Sequence, residues 1–351
     1  MTICYFGLYN PNYSRNKILI SGLKFNGVSI IECRTEMSGP IKYWDLIKKH
    51  WSIRQKYDIM IVGFPGFQAA VLAKFLTGKP IIFDAFYSIF DSLVEDRKIV
   101  GAKSARGKYL WLLDWLSCRL ADRVLLDTNA QIGYFIKEFG LNSNKFIRVL
   151  VGSNDEIIFP LPREKKDHFL VHFHGSFIPL QGIEYIVEAA KILENENIRF
   201  NIIGHGQTYK KVTGWAQKLG IKNINFIKPV SYDALNDYLA QADVVLGIFG
   251  QTGKARRVIP NKVYEGLAAK RPVITGDSPA IRELLTDGRD VILCRLNDAQ
   301  DLSAKIIELK NNRRLMEEVA EKGYQLFILK LTPKIIVENL LDIINRLFIY
   351  G

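Results

Sequence analysis

The sequence predicts an α/β protein made of two domains, each with a parallel sheet covered by helices. Short apolar segments alternate with amphipathic segments along nearly the whole chain, which is typical of alternating strands and helices. Several strand segments, including residues 58–63 and 243–248, are apolar almost throughout, as expected for a parallel sheet buried on both faces. The length of 351 residues exceeds the usual size of a single domain.

The first half of the chain reads as a strand–helix alternation. Strands are predicted at 3–6, 28–33, 58–63, 80–84, 123–128 and 146–152, and helices at 14–24, 41–56, 68–76 and 130–139. Residues 97–123 carry cations beside leucines and aromatic residues, which indicates either a helix at a membrane surface or a buried core helix. Because the apolar residues run nearly all round this helix, the core is favoured.

The second half repeats the alternation. Strands are predicted at 168–174, 199–203, 224–228, 243–248, 272–275 and 291–294. Helices are predicted at 182–194, 207–219, 231–241, 260–270, 279–286, within 298–323 and at 333–348. Proline and charged residues dominate 160–167, so the domains are expected at 1–160 and 161–332.

Composition limits the class of partner. The formal charge of +12 suits anionic ligands or an anionic membrane surface, and no nucleic-acid-binding motif accompanies it. The four cysteines lack metal-ligand spacing, so reduced packing cysteines and no bound metal are expected. No apolar run is long enough to span a bilayer, and the N-terminus lacks the pattern of a secretory signal. The predicted location is the cytoplasm, with peripheral binding to the inner face of the membrane left open.

The short helix predicted to begin near Pro260 carries the clearest candidate site. A proline suits the first helical turn, and Pro272 ends the helix because the residue before proline disfavours the helical conformation. Asn261, Lys262 and Glu265 are spaced by three and four residues and therefore share one face. That face combines a carboxylate with an ammonium group.

Three cations, Lys254, Arg256 and Arg257, precede this helix. A helix N-terminus with free N–H groups and nearby cations suits a diphosphate, and Glu265 could accept hydrogen bonds from the diol of a ribose. Together these features predict a nucleoside-diphosphate site. The alternative is an ordinary amphipathic helix with a solvated charged face, which these residues considered alone would favour.

Residues 264–274, Tyr-Glu-Gly-Leu-Ala-Ala-Lys-Arg-Pro-Val-Ile, resemble the donor-site motif of GT-B glycosyltransferases, especially family 4 (glycosyl transferases group 1). Residues 174–184 are similar to the family's glycine-bearing loop, and residues 202–206 to its second-strand loop. The resemblance is strong over 165–300 and weaker over 1–160. It implies two Rossmann-like domains around a cleft, with a C-terminal helix at 333–349 that returns to the first domain.

The resemblance also implies an activity. It implies retaining transfer of a sugar from a nucleoside-diphosphate donor to a glycan, lipid-linked or small-molecule acceptor, without metal or cofactor. Cell-surface polysaccharide or glycoconjugate biosynthesis is the expected setting. The alternatives are a GT-B-like protein that binds a nucleotide sugar without transferring it, and a sugar-nucleotide epimerase.

The candidate residues lie on the two sides of the expected reaction: the resemblance implies the ribose-binding role of Glu265, and the residue types and their positions indicate the roles of Lys262, Asp84 and Asp91. Glu265 is expected to bind ribose, and Lys262 to act near the reacting phosphate. Asp84 and Asp91 are candidates for acceptor orientation or proton handling, although Asp84 could equally cap the end of its strand. The remaining donor-side candidates are Asn261, Arg256, Arg257, Lys254, Gly175, Ser176, Gln181, Gly204 and Val230; the acceptor- or phosphate-side candidates are Gly7, Ser14 and Arg15.

In its second half the chain departs from the family pattern at three positions, and in its first half Asp84 stands where the family commonly has a histidine and Ser14-Arg15 where it commonly has paired glycines. Arg257 stands where the family often has a glutamate, and Ser176 and Gln181 stand where it often has Arg and Lys. Either the basic function has moved to the cations at 254–262, or the site has lost activity.

Overall fold

The computed structural model describes residues 1–163 and 166–348 and divides the chain into two units. The first comprises Met1–Val151 with the segment from Thr332 onward, and the second comprises Gly152–Leu331. The first unit therefore ends nine residues before the expected boundary at residue 160. The reason is local packing: Ser153 Oγ lies 3.3 Å from the Tyr232 hydroxyl, and the Phe159 N–H donates to Asn236. Glu164 and Lys165 of the predicted linker lie outside the described residues.

The first unit contains one six-stranded parallel sheet in the order β2-β1-β3-β4-β5-β6. The strands are β1 (Thr2–Gly7), β2 (Ser29–Arg34), β3 (Ile59–Val62), β4 (Ile81–Phe86), β5 (Arg123–Leu126) and β6 (Phe146–Arg148). The helices between them are α1 (Ser14–Phe25), α2 (Ile41–Ile53), α3 (Phe67–Leu76), α4 (Ala105–Leu120) and α5 (Asn129–Phe139). Apolar clusters fill both faces of the sheet, which explains its nearly continuous apolar strands.

The second unit contains another six-stranded parallel sheet, in the order β12-β11-β10-β7-β8-β9. The strands are β7 (Phe169–His174), β8 (Ile198–Ile203), β9 (Ile224–Ile227), β10 (Val244–Leu246), β11 (Val273–Gly276) and β12 (Ile292–Cys294). The helices are α6 (Ile183–Ile192), α7 (Tyr209–Lys218), α8 (Leu235–Gln241), α9 (Asn261–Ala268), α10 (Pro279–Arg282), α11 (Ala299–Asn311) and α12 (Arg313–Lys330).

Each sheet has a point where the strand order reverses. The reversal lies beside β1 and β3 in the first unit, and beside β7 and β10 in the second. Ligands of open α/β sheets bind at such points, beyond the carboxyl ends of the strands. In the second unit those ends are His174 and Leu246, and in the first they are Gly7 and Val62.

The final helix, α13 (Pro333–Phe348), packs against α1 of the first unit, which confirms the predicted return. Gly22 of α1 makes the close crossing possible. A Cβ atom at Gly22 would lie 2.3 Å from the carbonyl oxygen of Pro333 and 2.4 Å from Cγ2 of Val337. Residue 349 of the predicted helix lies outside the described residues.

Helix α4 is the apolar segment that could have been either a core helix or a membrane-surface helix. Its Leu110, Leu113 and Cys118 are buried, and the helix packs against α3, so it is a core helix. No helix in the described part of the chain combines the length and apolar character needed to cross a bilayer.

Some predicted boundaries differ from the structure. Helix α9 ends at Ala268 rather than near residue 270, because Lys270 adopts a left-handed conformation with φ of 55° and the Arg271 N–H turns back to the Gly266 carbonyl. Helix α10 is shorter than predicted, ending at Arg282, and α12 is longer, ending at Lys330.

Candidate functional site

Helix α9 is buried on nearly every side. Val263 and Leu267 face the core as predicted, and Lys262 and Glu265 are each only 4% exposed. The helix packs against α12 and against strands β10 and β11. A solvated charged face, the alternative left open by the sequence, is therefore excluded. Charged groups are held at such low exposure only when partners or a ligand offset the cost of burial.

Glu265 is held by a histidine at the end of β7. Oε2 of Glu265 lies 2.7 Å from Nε2 of His174, and Nδ1 of His174 lies 3.0 Å from Nε2 of His172. All three side chains are buried. The three side chains are connected by hydrogen bonds, from His172 inside the sheet through His174 to the Glu265 carboxylate.

The hydrogen bonds determine which ring nitrogens carry protons. His174 must donate from Nε2 to the Glu265 carboxylate, so its Nδ1 accepts from Nε2–H of His172 when both rings are neutral. Burial, reinforced by His174, lowers the pKa of His172 well below its usual range. Nδ1 of His172 has no hydrogen-bond partner among the described residues, which is less costly for a bare acceptor than for a buried N–H.

Lys262 projects toward the glycine-bearing loop after β7. Its Nζ donates a hydrogen bond to Oε1 of Gln181 and lies 4.7 Å from the centroid of the Phe173 ring. Burial lowers the pKa of Lys262 to about 7, although the charge of Glu265 acts in the opposite direction. Within residues 1–163 and 166–348 no carboxylate lies at ion-pair distance from Lys262, so a bound anion would complete its charge balance.

Two glycines shape the loop beside this ammonium group. Gly175 has a φ of +146°, and a Cβ atom there would lie 3.1 Å from Nζ of Lys262. Gly204 has a φ of +143°, and a Cβ atom there would lie 1.9 Å from the carbonyl oxygen of Gly175. Gly175 thus lies directly at the Lys262 ammonium, whereas Gly204 allows two backbones to approach closely.

The remaining donor-side candidates are spread around this centre. Lys254 is buried and Arg256 is exposed, and both lie in the single 3₁₀ turn Lys254–Arg256. Ser176 is exposed, and Val230 is half-buried just after β9. No described hydrogen bond joins the Ser176 side chain to Lys262 or Glu265, and the Val230 side chain has no polar atom. The two other candidates on this side, Asn261 and Arg257, are half-buried.

In the first unit, Arg15 and Asp84 form a fully buried ion pair. Nε of Arg15 lies 3.1 and 3.0 Å from the two Asp84 oxygens, and its terminal nitrogens donate to Asp84 and to the carbonyls of Val149 and Leu150. Arg15 was expected on the acceptor or phosphate side, and Asp84 was a candidate for acceptor orientation or proton handling, or for capping the end of its strand. In the structure the two side chains form an ion pair with each other. Together with the hydrogen bonds from Arg15 to the Val149 and Leu150 carbonyls, this pair joins α1, β4 and the segment after β6.

Asp91 is also buried, at the start of a single π-helical turn, Asp91–Asp96, that the sequence did not predict. Asp114 of α4 accepts hydrogen bonds from the Ser88 hydroxyl and the Phe90 N–H, immediately before this turn. Burial raises the pKa of Asp114 to about 7. Asp114 therefore organises the 88–91 turn, a role that sequence reasoning missed; its only signal was a lone carboxylate in an apolar helix.

An aromatic cluster lies beyond the carboxyl ends of β3 and β4. The Phe64 ring centroid is 5.3 Å from Tyr13, 5.3 Å from Phe86 and 4.8 Å from Tyr87. Phe86 has a φ of 60°, which a bulky side chain rarely adopts. Gly7, with a φ of +131°, ends β1 at the same edge of the sheet, and half-buried Ser14 begins α1. The cluster gives this edge an apolar, partly exposed surface.

Sequence reasoning missed the two histidines, although a signal was present. His172 and His174 alternate along a strand, so they project from the same face. In the described residues, no three His, Cys, Asp or Glu side chains gather in a way that could hold a metal ion.

Comparison with known proteins identifies the family of the second unit. The sequence pattern of glycosyl transferases group 1 matches residues 154–326, which is most of the second unit and includes Glu265, Lys262 and His174. The second unit belongs to the glycosyl transferases group 1 family. The match covers the strands, helices and loops that form the buried Glu265–Lys262 site.

Two curated relatives extend the match into the first unit. A Methanocaldococcus jannaschii protein named as an uncharacterized glycosyltransferase is 26% identical over 222 residues, which is 58% of this chain and 60% of the relative. A Staphylococcus aureus poly(ribitol-phosphate) alpha-N-acetylglucosaminyltransferase is 22% identical over 230 residues, 63% of this chain and 43% of the relative. The matched regions thus span about half the length of these relatives.

Solved structures resemble the chain over its whole length. HepE of Anabaena, solved in complex with UDP-glucose, has a TM-score of 0.74 at 13% identity and covers 99% of both chains. Sucrose-phosphate synthase of Thermosynechococcus elongatus has a TM-score of 0.76 at 13% identity and covers both chains fully. The group 1 domain and its companion unit therefore have the GT-B fold, as the sequence predicted.

Proposed function

We propose that this protein is a glycosyltransferase that moves a sugar from a nucleoside-diphosphate donor to an acceptor. The observation that carries the proposal is the buried combination of the Glu265 carboxylate, which is hydrogen-bonded to His174, with the Lys262 ammonium group, which has no carboxylate partner among the residues that the structure describes. Both lie at the carboxyl end of β7, beside the reversal in strand order where α/β sheets bind ligands.

The donor is proposed to lie along α9. Glu265, already oriented by His174, accepts hydrogen bonds from the ribose hydroxyls. The diphosphate then lies near Lys262 and the amides of the loop at Gly175, where positive charge is available. Because Nζ of Lys262 contacts Gln181, the ammonium lies beside the position where the family often has a lysine. We therefore assign the missing loop charge to Lys262.

The proposed chemistry depends on stabilising the departing nucleoside diphosphate. A buried cation and helix amides stabilise developing negative charge strongly because little water competes with them. This arrangement needs no metal ion, so metal-independent hexosyl transfer is proposed. Retention of anomeric configuration, with the donor phosphate helping to accept the acceptor proton, is proposed from the family resemblance.

The acceptor is proposed to bind the first unit. Tyr13, Phe86 and Tyr87 pack around the buried Phe64 ring and are partly exposed at the carboxyl ends of the strands, which suits the apolar face of a sugar ring. A glycan, lipid-linked or small-molecule acceptor in cell-surface polysaccharide or glycoconjugate biosynthesis fits this surface. The Staphylococcus aureus relative is named for transfer to poly(ribitol phosphate). Asp84 is assigned a structural role, because Arg15 occupies it.

A two-stage experiment tests the proposal. Thermal-shift measurements with UDP, GDP, ADP and TDP identify the nucleotide, and mass spectrometry then follows products formed from its sugars with candidate acceptors. Glycoside formation that Glu265→Gln abolishes supports transfer. Binding without product would instead support a nucleotide-sugar-binding protein, and interconversion of the free nucleotide sugars would support an epimerase. Activity that requires added Mn²⁺ or Mg²⁺ after EDTA treatment would contradict metal independence.

A further inference from the structure

Helix α2 of the first unit presents an aromatic face to solvent. Trp44 is 71% exposed, Trp51 is 66% exposed and Ile41 is 60% exposed. At 3.6 residues per turn, Ile41, Trp44, Lys48 and Trp51 fall on one stripe along the helix. These four residues are called the α2 face below. Two tryptophans so exposed on one stripe are unusual, because large aromatic side chains are normally at least partly buried.

The opposite side of α2 anchors the helix in the first unit. Leu46 is buried in the apolar core beside β2, and the His50 ring is buried with Nε2 at 2.7 Å from the Tyr57 hydroxyl. The aromatic face is therefore held outward by a packed helix. Met37, in the loop before α2, is also exposed.

Cations are interleaved with these aromatic residues. Residues 41–56 contain five Lys or Arg residues but one acidic residue, Asp45, whose carboxylate lies 2.7 Å from Nζ of Lys49. The Arg54 guanidinium lies 4.0 Å from the Trp51 ring centroid, and the Lys42 ammonium lies 5.1 Å from the Tyr43 ring centroid. The surface around the α2 face is thus both aromatic and positively charged.

We propose that the α2 face docks on the surface of a lipid bilayer that carries anionic headgroups. Tryptophan favours the boundary between headgroups and acyl chains, and lysine and arginine are attracted to anionic lipids. Protein interfaces are also rich in tryptophan, but they are depleted in lysine, so the mixture on α2 fits a bilayer better than a protein partner. The inference is independent of the proposed donor chemistry in the second unit.

The proposal places membrane contact on a different helix from the one the sequence singled out. Leu110 and Leu113 of α4 are buried in the first unit, so they are not available to lipid. On helix α2, by contrast, Trp44 and Trp51 are exposed, and so are Ile41 and Lys48 on the same face. Docking through α2 would bring the first unit, and thus an acceptor bound to it, close to a membrane surface.

Vesicle flotation of the full chain tests the proposal. We expect the protein to float with vesicles of phosphatidylcholine mixed with phosphatidylglycerol, and to float much less with phosphatidylcholine alone. Trp44→Ala with Trp51→Ala should abolish flotation, and Lys48→Gln with Arg54→Gln should weaken it, by roughly fivefold per charge removed. Raising the salt concentration should act on the parent protein in the same direction as the charge variant.

Matched controls distinguish vesicle binding through the α2 face from nonspecific binding through any exposed aromatic or charged residue. Phe75→Ala removes another exposed aromatic residue of the first unit, 79% exposed, and Lys210→Gln with Lys211→Gln removes two exposed charges elsewhere. Both controls should float like the parent protein, and all variants should keep the parent melting temperature. Equal flotation of the Trp44/Trp51 variant, or no flotation of the parent, overturns the proposal. A loss of self-association in that variant, measured by sedimentation velocity without lipid, would assign the face to a second copy instead.

Discussion

His174 and Glu265 are joined by a hydrogen bond of 2.7 Å between Nε2 and Oε2, although 91 residues separate them in the chain. The carboxylate is thereby oriented before any ligand arrives. Pre-orientation matters because a free side chain must lose conformational entropy when it binds. One further buried imidazole, His172, fixes the proton on the correct nitrogen of His174.

The first prediction concerns Glu265 itself. Glu265→Gln keeps the shape of the side chain but replaces a charged acceptor with a neutral one. We expect nucleotide binding to weaken by about 1–3 kcal/mol, equally for a nucleoside and its diphosphate, since both carry the ribose. Isothermal titration calorimetry with both ligands checks this. Unchanged affinity for both would mean that α9 has only a structural role.

The second prediction separates positioning from folding. His174→Phe keeps a planar ring but removes the hydrogen bond to Glu265, so we expect ribonucleotide binding to weaken by about 1.5–3 kcal/mol. Binding of the matching 2′,3′-dideoxynucleotide, which lacks the diol, should change little.

The double variant His174→Phe with Glu265→Gln should bind about as weakly as Glu265→Gln alone, because the two residues act through one contact. If His174 only stabilised the fold, His174→Phe would weaken binding of the ribonucleotide and of the dideoxynucleotide alike. That result would contradict the positioning role.

The third prediction follows from the buried ammonium of Lys262. Its pKa is lowered to about 7 in the free protein because burial disfavours the charge. A bound diphosphate favours the charge, so binding takes up a proton when the pH exceeds that value. Affinity for the nucleoside diphosphate should therefore fall as the pH rises above about 7, by at most about tenfold per pH unit, whereas nucleoside affinity should stay level.

Lys262→Met provides the control, because it retains the apolar stem and removes the titrating group. In this variant diphosphate binding should be weaker and independent of pH over the same range. Calorimetry in two buffers with different ionisation enthalpies measures the proton uptake directly. Equal uptake in the parent and Lys262→Met would assign the proton to another group.

The fourth prediction concerns the buried pair of Arg15 and Asp84. Arg15→Met leaves the Asp84 carboxylate buried without its partner, so we expect the free energy of unfolding to fall by about 3–5 kcal/mol. Arg15→Met with Asp84→Leu should recover much of that loss, since no charge remains buried. Urea unfolding of both variants checks this. If the single and double variants are equally unstable, the carbonyl contacts of Arg15 rather than the ion pair hold this part of the first unit.

The local pattern of the sequence determined the layered architecture. Alternating apolar strands and amphipathic helices report which residues are adjacent on one strand or helix face, and this information is contained within a few neighbouring residues. The strands, most helices and the inward positions of Val263 and Leu267 were therefore predictable. The family resemblance added the donor-site helix and the return of the last helix.

The tertiary structure alone decided the chemical setting of the charged residues. Lys262 was expected on a polar face, but its ammonium is buried against Gln181, 81 residues earlier in the chain. Arg15 was expected on the acceptor or phosphate side of the site, but it is paired with Asp84, 69 residues away. Such contacts depend on the order of strands in the sheet, which brings distant strand ends together. No local periodicity contains that order, so the partners of these charges became known only from the fold.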